Sequence, residues 1–331
     1  MGATVHALRT RPQPFMARYG ISRCLGRGPI DAVYEGVRRG TTERVAIRRV
    51  HPHLVDERAR KHLVKTAQNG TTVQHPNVIR IEEVADLEGD IFLVSKLVEG
   101  ATLARLVAKK PLPRRIALRI VLDACAGLAA IHAARGTDGT RLVHCDVSPA
   151  NIIVGIDGIS RLADFGVAKQ LEDVDDAAPL RQGKSGYTAP EYILTGLFDA
   201  RSDVFALGIV LWELLAARRL FEGTTDEEVL HRALFEDAPS LIGFGIAPEI
   251  AAVVARAVAR PASYRFSSAS KLEVELEDVA KDRIATHAEV ALFVAALEAP
   301  AMVADEERDS TLTRVNVQAM IEEEYGTSRT G

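Results

Sequence analysis

Up to about residue 98 the apolar residues fall in short runs of strand type, and beyond it they recur at helical spacing. Ile21 to Val37, ISRCLGRGPIDAVYEGV, reads as a hairpin whose turn is Gly26 to Ala32, and Arg44 to Arg49 as a third strand. Ile79 to Val84 and Ile91 to Ser95 read as two more strands. Between them Asp56 to Val64 reads as a helix that runs into Asn69-Gly70-Thr71-Thr72, residues of low helix propensity. Ala101 to Ala108 reads as a short helix ended by Lys109-Lys110-Pro111. Pro113 then opens a long one, Arg114 to Ala134, with Ile116, Ile120, Leu122, Ala126, Leu128 and Ile131 giving a buried face. His132 on that helix reads as structural. Thr286 with Glu289 three residues later makes a capping box for a helix that ends before Pro300, and Ser310 to Tyr325 reads as a docking helix.

At 331 residues the chain has room for about two domains, or one bilobal domain with tails. The net charge is −4 with acids and bases interspersed, so no global field favours nucleic acid or an anionic membrane. Three scattered cysteines (Cys24, Cys125, Cys145) make no disulfide framework or zinc pattern, which suits a reducing cytosol. The N-terminal residues have no apolar core of a secretory signal, and His6 stands where a myristoylation site needs Ser or Thr. Val204 to Ala217, the most apolar stretch, is too short to span a bilayer and contains Glu213. The expectation is a cytoplasmic protein with no membrane segment and no nucleic-acid partner.

The chemistry concentrates in LVHCDVSPANIIV, Leu142 to Val154, and in ADFG, Ala163 to Gly166. An apolar run delivers His144 and Asp146, Asn151 follows, and Asp164 sits on a second short turn. Two carboxylates and an amide at this spacing suit phosphoryl transfer: one acid accepts a hydroxyl proton while the other two groups hold metal against phosphate oxygens. With TAPE at Thr188 to Glu191, the series resembles the catalytic loop, metal-binding turn and following segment of the eukaryotic-type (bacterial Hanks-type) Ser/Thr protein kinases. The resemblance covers about Ala17 to Asp282. It implies an α+β, bilobal fold with a small antiparallel β lobe and a helical lobe. The domains expected are a flexible leader over 1–17, a kinase-like domain over 18–284 (lobes 18–98 and 99–284) and a helical or flexible tail over 285–331.

The same resemblance implies the site. Asp146, Asn151 and Asp164 would be catalytic, with Mg²⁺ on Asn151 and Asp164. ATP would lie against Leu25, Gly26, Gly28, Val33, Ala46, Arg48, Lys96, Val98 and Ile153, with Lys96-Leu97-Val98 as a hinge pairing adenine and Ser95 beside it. Asp203 would brace the catalytic loop, and Arg265 would pair Glu191.

Departures from the family pattern are concentrated where phosphate is handled. Pro29 has no N–H to offer, and Asp31 stands at the third glycine position. A carboxylate about 4 Å from phosphate would repel it by roughly 4 kcal/mol at an effective dielectric near 20, with Arg27 as a partial offset. Arg48 replaces the lysine of the third strand, a swap that is not conservative. The glutamate that pairs this cation is expected at Thr66, which carries no charge, and Gly70 leaves a gap in an apolar stack with Ile81, His144 and Phe165. Cys145 replaces the arginine that reads activation-segment phosphate and is expected to be a buried structural thiol. Gly166 to Lys184 holds no Ser, Thr or Tyr before Ser185, but does hold Glu172, Asp173, Asp175 and Asp176. Ser148 stands where many kinases have lysine.

These features together point to a kinase-fold signalling protein, a pseudokinase or very weak kinase acting as a regulatory or docking partner. The alternative is an active ATP- and Mg-dependent Ser/Thr kinase, with Asp146 as proton acceptor, Arg48 in place of the phosphate-binding lysine and a protein substrate. A small-molecule phosphotransferase is a third reading.

Overall fold

The computed structural model describes residues 15–27, 31–50, 57–87, 90–137, 139–164 and 185–298. Gly28, Pro29, Asp56, Phe165, the acidic stretch Glu172 to Asp176, Pro300 and Ser310 to Tyr325 lie outside the described residues.

The N-terminal lobe is one antiparallel sheet beside a helix. Its strands are β1 (Tyr19–Arg27), β2 (Asp31–Arg38), β3 (Arg44–Val50), β4 (Ile81–Leu87) and β5 (Asp90–Lys96), in the order β1-β2-β3-β5-β4. Alternation along β3 explains its two faces. Val45 and Ile47 are buried with Phe92, Val94 and Tyr19 on one side. Ala46 and Arg48 turn to the other, paired across the strands with Ser95 and Leu93. A short helix α1 (Phe15–Arg18) precedes the sheet, and Phe15, 6% exposed, packs on Tyr19 and Phe92. Phe15, within the stretch read as a leader, is thus packed on the sheet.

Helix α2 (Glu57–Gly70) is helical to its last turn, although propensity argued for fraying after Val64. Burial outweighs propensity there: Leu63 and Ala67 pack with Val50, Ile81, Ile91 and Leu93, and Asn69 accepts at Oδ1 from the Thr137 backbone N–H at 2.9 Å. β4 starts two residues later than expected because Ile79 is recruited elsewhere. Its N–H donates to Leu162 O at 2.8 Å, and Leu162 N–H donates to Asn77 O at 2.9 Å. Gly127 on the long helix lets this segment approach: a Cβ there would stand 2.6 Å from Asn77 O.

The C-terminal lobe is built on α4 (Arg114–Ala133) and α6 (Ala200–Ala216). Among the described residues α4 is the one helix long and apolar enough to cross a membrane, but Ala117, Ile120, Val121 and Leu128 are fully buried in this lobe's core. Asp199 and Ser202 cap α6 reciprocally, and most of its residues are buried, as its long apolar run requires. β6 (Gly100–Thr102), β7 (Ile152–Gly155) and β8 (Ser160–Leu162) form a second antiparallel sheet at the lobe junction. β6 takes the residues expected to begin a helix; α3 (Leu103–Lys109) starts behind the Thr102 cap instead. Around this core lie α5 (Pro190–Thr195), α7 (Asp226–Phe235), α8 (Pro248–Ala257) and α9 (Ala269–Ala280).

The last described helix, α10 (His287–Glu298), lies within the stretch read as a tail and packs on the C-terminal lobe. Val290 and Val294 are fully buried. Glu298 pairs with Arg105 at 2.6 Å and Lys109 at 2.7 Å, which fastens its end to α3. The expected capping box is formed, with Thr286 N–H donating to Glu289 at 2.7 Å.

Candidate active site

The stretch from His144 to Asn151 is held by side chains bonding backbone. His144 is fully buried; its Nδ1 accepts from Asp146 N–H at 3.2 Å, which leaves Nε2 to donate to Ala163 O at 3.1 Å. The Asp203 carboxylate, also fully buried, accepts from His144 N–H at 2.7 Å and Cys145 N–H at 2.9 Å, and meets His132 Nε2 at 2.8 Å. His132 is thus structural in a specific way, as a partner of the residue that fixes the loop. Cys145 sits in the left-handed region at φ 64°, a conformation costing a non-glycine residue about 1 kcal/mol or more. The two hydrogen bonds to Asp203 hold it there. Its side chain is half-buried, more open than the buried thiol expected from the sequence.

Asn151 completes the arrangement. Its Nδ2 donates to Asp146 O at 2.8 Å and Asp146 Oδ2 at 2.7 Å, so the amide sets the rotamer of the acid. Ala163 N–H donates to Asn151 O at 2.8 Å, bringing Asp164 alongside on the next residue. Asp164 too is left-handed, at φ 61°. Ser148 is buried, and its hydroxyl finds no hydrogen-bond partner among the described residues.

Above this loop a cleft of about 670 Å³ opens between the lobes. Leu25, Gly26, Val33, Ala46, Arg48, Lys96, Val98, Ile153 and Asp164 all line it, together with Ser95 and Ala163. Of the nucleotide-contacting residues expected from the sequence, Gly28 lies outside the described residues. Lys96 is the last residue of β5, so the connection between lobes begins at Leu97. Val33, Ala46 and Ile153 give the cleft apolar walls; Glu35, Arg44, Lys96 and Glu99 also line it, and Arg48 and Asp164 form its charged end beside the catalytic loop.

That charged end departs from expectation. Arg48 Nη2 is hydrogen-bonded to Asp164 Oδ2, and Arg48 Nε stands 3.5 Å from Asp31 Oδ2. Burial works against the Arg48 charge, but Asp164, Asp31 and Asp146 together hold its pKa above the ordinary value, so it is cationic at any physiological pH. Asp31 is 8% exposed and turned to a cation, where the sequence had set it against phosphate. Thr66, at the position expected for a pairing acid, is buried on α2.

Further down the C-terminal lobe Arg265 grips Glu191 with both ends of its fork, at 2.8 Å each, and Ser202 donates to the same carboxylate at 2.6 Å. Burial favours the neutral acid, but those bonds prevail and hold Glu191 below the usual carboxylate range. Sequence reasoning missed a second buried acid, Asp123 on α4, which accepts Ser160 N–H at 2.8 Å and meets His287 Nε2 at 2.9 Å. Burial pushes its carboxyl upward. An aspartate in an otherwise apolar helical stripe was the available signal.

Comparison with known proteins agrees with this geometry. The protein kinase domain family matches residues 19–264. The serine/threonine-protein kinase PknB of Mycolicibacterium smegmatis is 29% identical over 314 residues, covering 92% of this chain and 47% of that protein. The PknB of Mycobacterium leprae is 29% identical over 277 residues, 81% of this chain and 44% of that one. A probable serine/threonine-protein kinase, pknA2 of Bifidobacterium longum, is 28% identical over 276 residues, 81% and 36%. The chain spans less than half the length of these curated relatives. With an antiparallel N-terminal lobe, a helical C-terminal lobe and a family match over most of its length, the chain belongs to the protein kinase domain family.

Proposed function

We propose that this chain is a nucleotide-binding signalling protein of kinase fold whose own phosphotransfer is very weak or absent, and that it works through protein partners in the cytoplasm. The ion pair between Arg48 and Asp164 carries this reading. Asp164 is the carboxylate implied for metal and Arg48 the cation implied for phosphate. While each neutralises the other, metal or phosphate must first part the pair to engage either group. Thr66 offers no charge with which to draw Arg48 away.

The residues present do fit a nucleotide. Arg48 Nη1 is buried with no hydrogen-bond partner among the described residues, a donor for which a phosphate oxygen would be an acceptor. The apolar walls Val33, Ala46 and Ile153 suit a flat base. Among the described residues no three His, Cys, Asp or Glu side chains form a metal cage of their own, so Asn151 and Asp164 would share a cation with phosphate oxygens. ATP with Mg²⁺ would supply the transferable phosphoryl group and its charge neutralisation. Asp146, oriented by Asn151, would accept the proton of a Ser or Thr hydroxyl.

A second reading, a working Ser/Thr kinase, draws support from one observation. The Asp146–Asn151 bond and its Asp203 brace are intact, and drift alone has no reason to keep them.

Thermal unfolding with ATP, with and without Mg²⁺, tests the binding half. Nucleotide at a hundred times its dissociation constant stabilises by about 2.7 kcal/mol, a shift of several degrees. No shift at millimolar nucleotide removes nucleotide binding from the proposal. Phosphate transfer to a generic protein substrate, compared with Asp146→Asn, tests the other half. Transfer that this substitution abolishes would establish the second reading.

A further inference from the structure

Asp31 and Arg48 are two departures from the family pattern that the sequence presents as separate losses. The sheet register joins them. Val33 on β2 lies directly opposite Arg48 on β3, and Asp31 is two residues from Val33, hence on the same face and diagonal to Arg48. The Asp31 carboxylate reaches Arg48 Nε at 3.5 Å, and both side chains are largely buried, 11% and 14% exposed. Nη2, which flanks the same edge of the guanidinium as Nε, carries the bond to Asp164, while Nη1 has no partner among the described residues.

We propose that Asp31 is the positioning residue for Arg48, doing from β2 what a helix acid would do from α2. The proposal rests on the nucleotide-binding reading above. A guanidinium is a rigid planar fork, so an acid beside Nε restrains its plane while Nη1, and Nη2 once it parts from Asp164, can meet phosphate. Nη2 can then pass from Asp164 to a phosphate oxygen without Arg48 losing its anchor. A lysine would offer three rotatable donors on a single point of charge, with no plane for the acid to fix. The arginine at 48 and the acid at 31 thus explain each other. The geometry also reverses the expected sign of Asp31: paired to the cation, it supports phosphate binding where an unpaired carboxylate would oppose it.

Titration calorimetry on the full chain decides the matter, with adenosine and Mg·ATP as separate ligands. Asp31→Asn, and Asp31→Ser as a second uncharged variant, are compared with wild type and again in an Arg48→Met background. Both variants are expected to weaken Mg·ATP about tenfold or more and to leave adenosine within about twofold. In the Arg48→Met background the same substitutions are expected to weaken Mg·ATP no further, since the residue they act through is gone. Unchanged or tighter Mg·ATP binding by the single variants would overturn the proposal, because a repelling carboxylate predicts that outcome. A loss that persists in the Arg48→Met background, or extends equally to adenosine, would overturn it as well, by making Asp31 a prop of the lobe. A wild-type chain that binds neither ligand would instead defeat the nucleotide reading itself.

Discussion

Asp203 on α6 accepts the backbone N–H of His144 at 2.7 Å, fixing the start of the catalytic loop from a helix 59 residues further along the chain. The same carboxylate takes the Cys145 N–H and His132, so its removal strands three polar groups at a buried or half-buried site. Asp203→Ala is expected to cost about 3–5 kcal/mol in urea unfolding, and Asp203→Asn, which keeps one acceptor, about 1–3 kcal/mol. If Asp203→Ala unfolds within a few tenths of a kcal/mol of wild type, the brace is not what holds the left-handed Cys145 in place.

Much of this site was legible from sequence because its parts are local. His144, Asp146 and Asn151 lie within eight residues on one turn, and local spacing constrains where such groups can point. Asp203, Glu191 and Arg265 were legible through family likeness, which encodes long-range partners that a pattern cannot. Asp31 was misjudged because its direction depends on strand register, and that places it diagonal to Arg48 instead of beneath a loop. The Asp123–His287 pair joins groups 164 residues apart, with no local periodicity to announce it. Helix α2 outran its propensity because Leu63 and Ala67 are completely buried, a tertiary gain invisible in the run Asn69-Gly70-Thr71-Thr72.

The Glu191–Arg265 pair makes stability depend on acid. Burial alone would raise the Glu191 pKa; the bonds from Arg265 and Ser202 bring it below its ordinary value of 4.5. A carboxyl lowered on folding contributes stability that is fully present above about pH 4.5 and is lost as pH falls through the folded value. Glu191→Gln is therefore expected to lower stability by about 3 kcal/mol near neutral pH, and to flatten the acid limb of the melting-temperature profile. Melting curves for both proteins from about pH 7 down to about pH 3 check this. Parallel acid limbs would mean that other carboxyls dominate acid unfolding.

Gly158, in the turn between β7 and β8, lies against the first turn of α10. Its φ is +78°, and a Cβ there would stand 1.9 Å from His287 O. The neighbour is backbone at the first turn of α10 and has no rotamer with which to retreat. Gly158→Ala combines left-handed strain of about 1 kcal/mol or more with this clash. The expected outcome is release of α10, read as faster amide hydrogen exchange over residues 287–298 and as loss of protection at the Asp123-facing side of α4. Exchange unchanged in α10 would show that the turn yields instead of the helix.

Arg48→Lys separates the two accounts of what this chain does. If the arginine is a simple lesion, restoring the family's lysine should restore transfer. The geometry argues otherwise. Arg48 meets Asp31 with Nε and Asp164 with Nη2, and a compact ammonium, though it has three N–H donors, lacks the planar spread that fixes both contacts. Thr66 supplies no acid on α2 to hold the new lysine. The substitution is therefore expected to weaken Mg·ATP about tenfold, as loss of a positioned charged contact does, and to leave phosphate transfer at the level of Asp146→Asn. Radiolabelled transfer to a generic protein substrate, run beside the binding measurement, reads both. A marked rise in transfer from this single change would mean that the arginine alone had held a competent kinase in check, and the weak-kinase reading would fall.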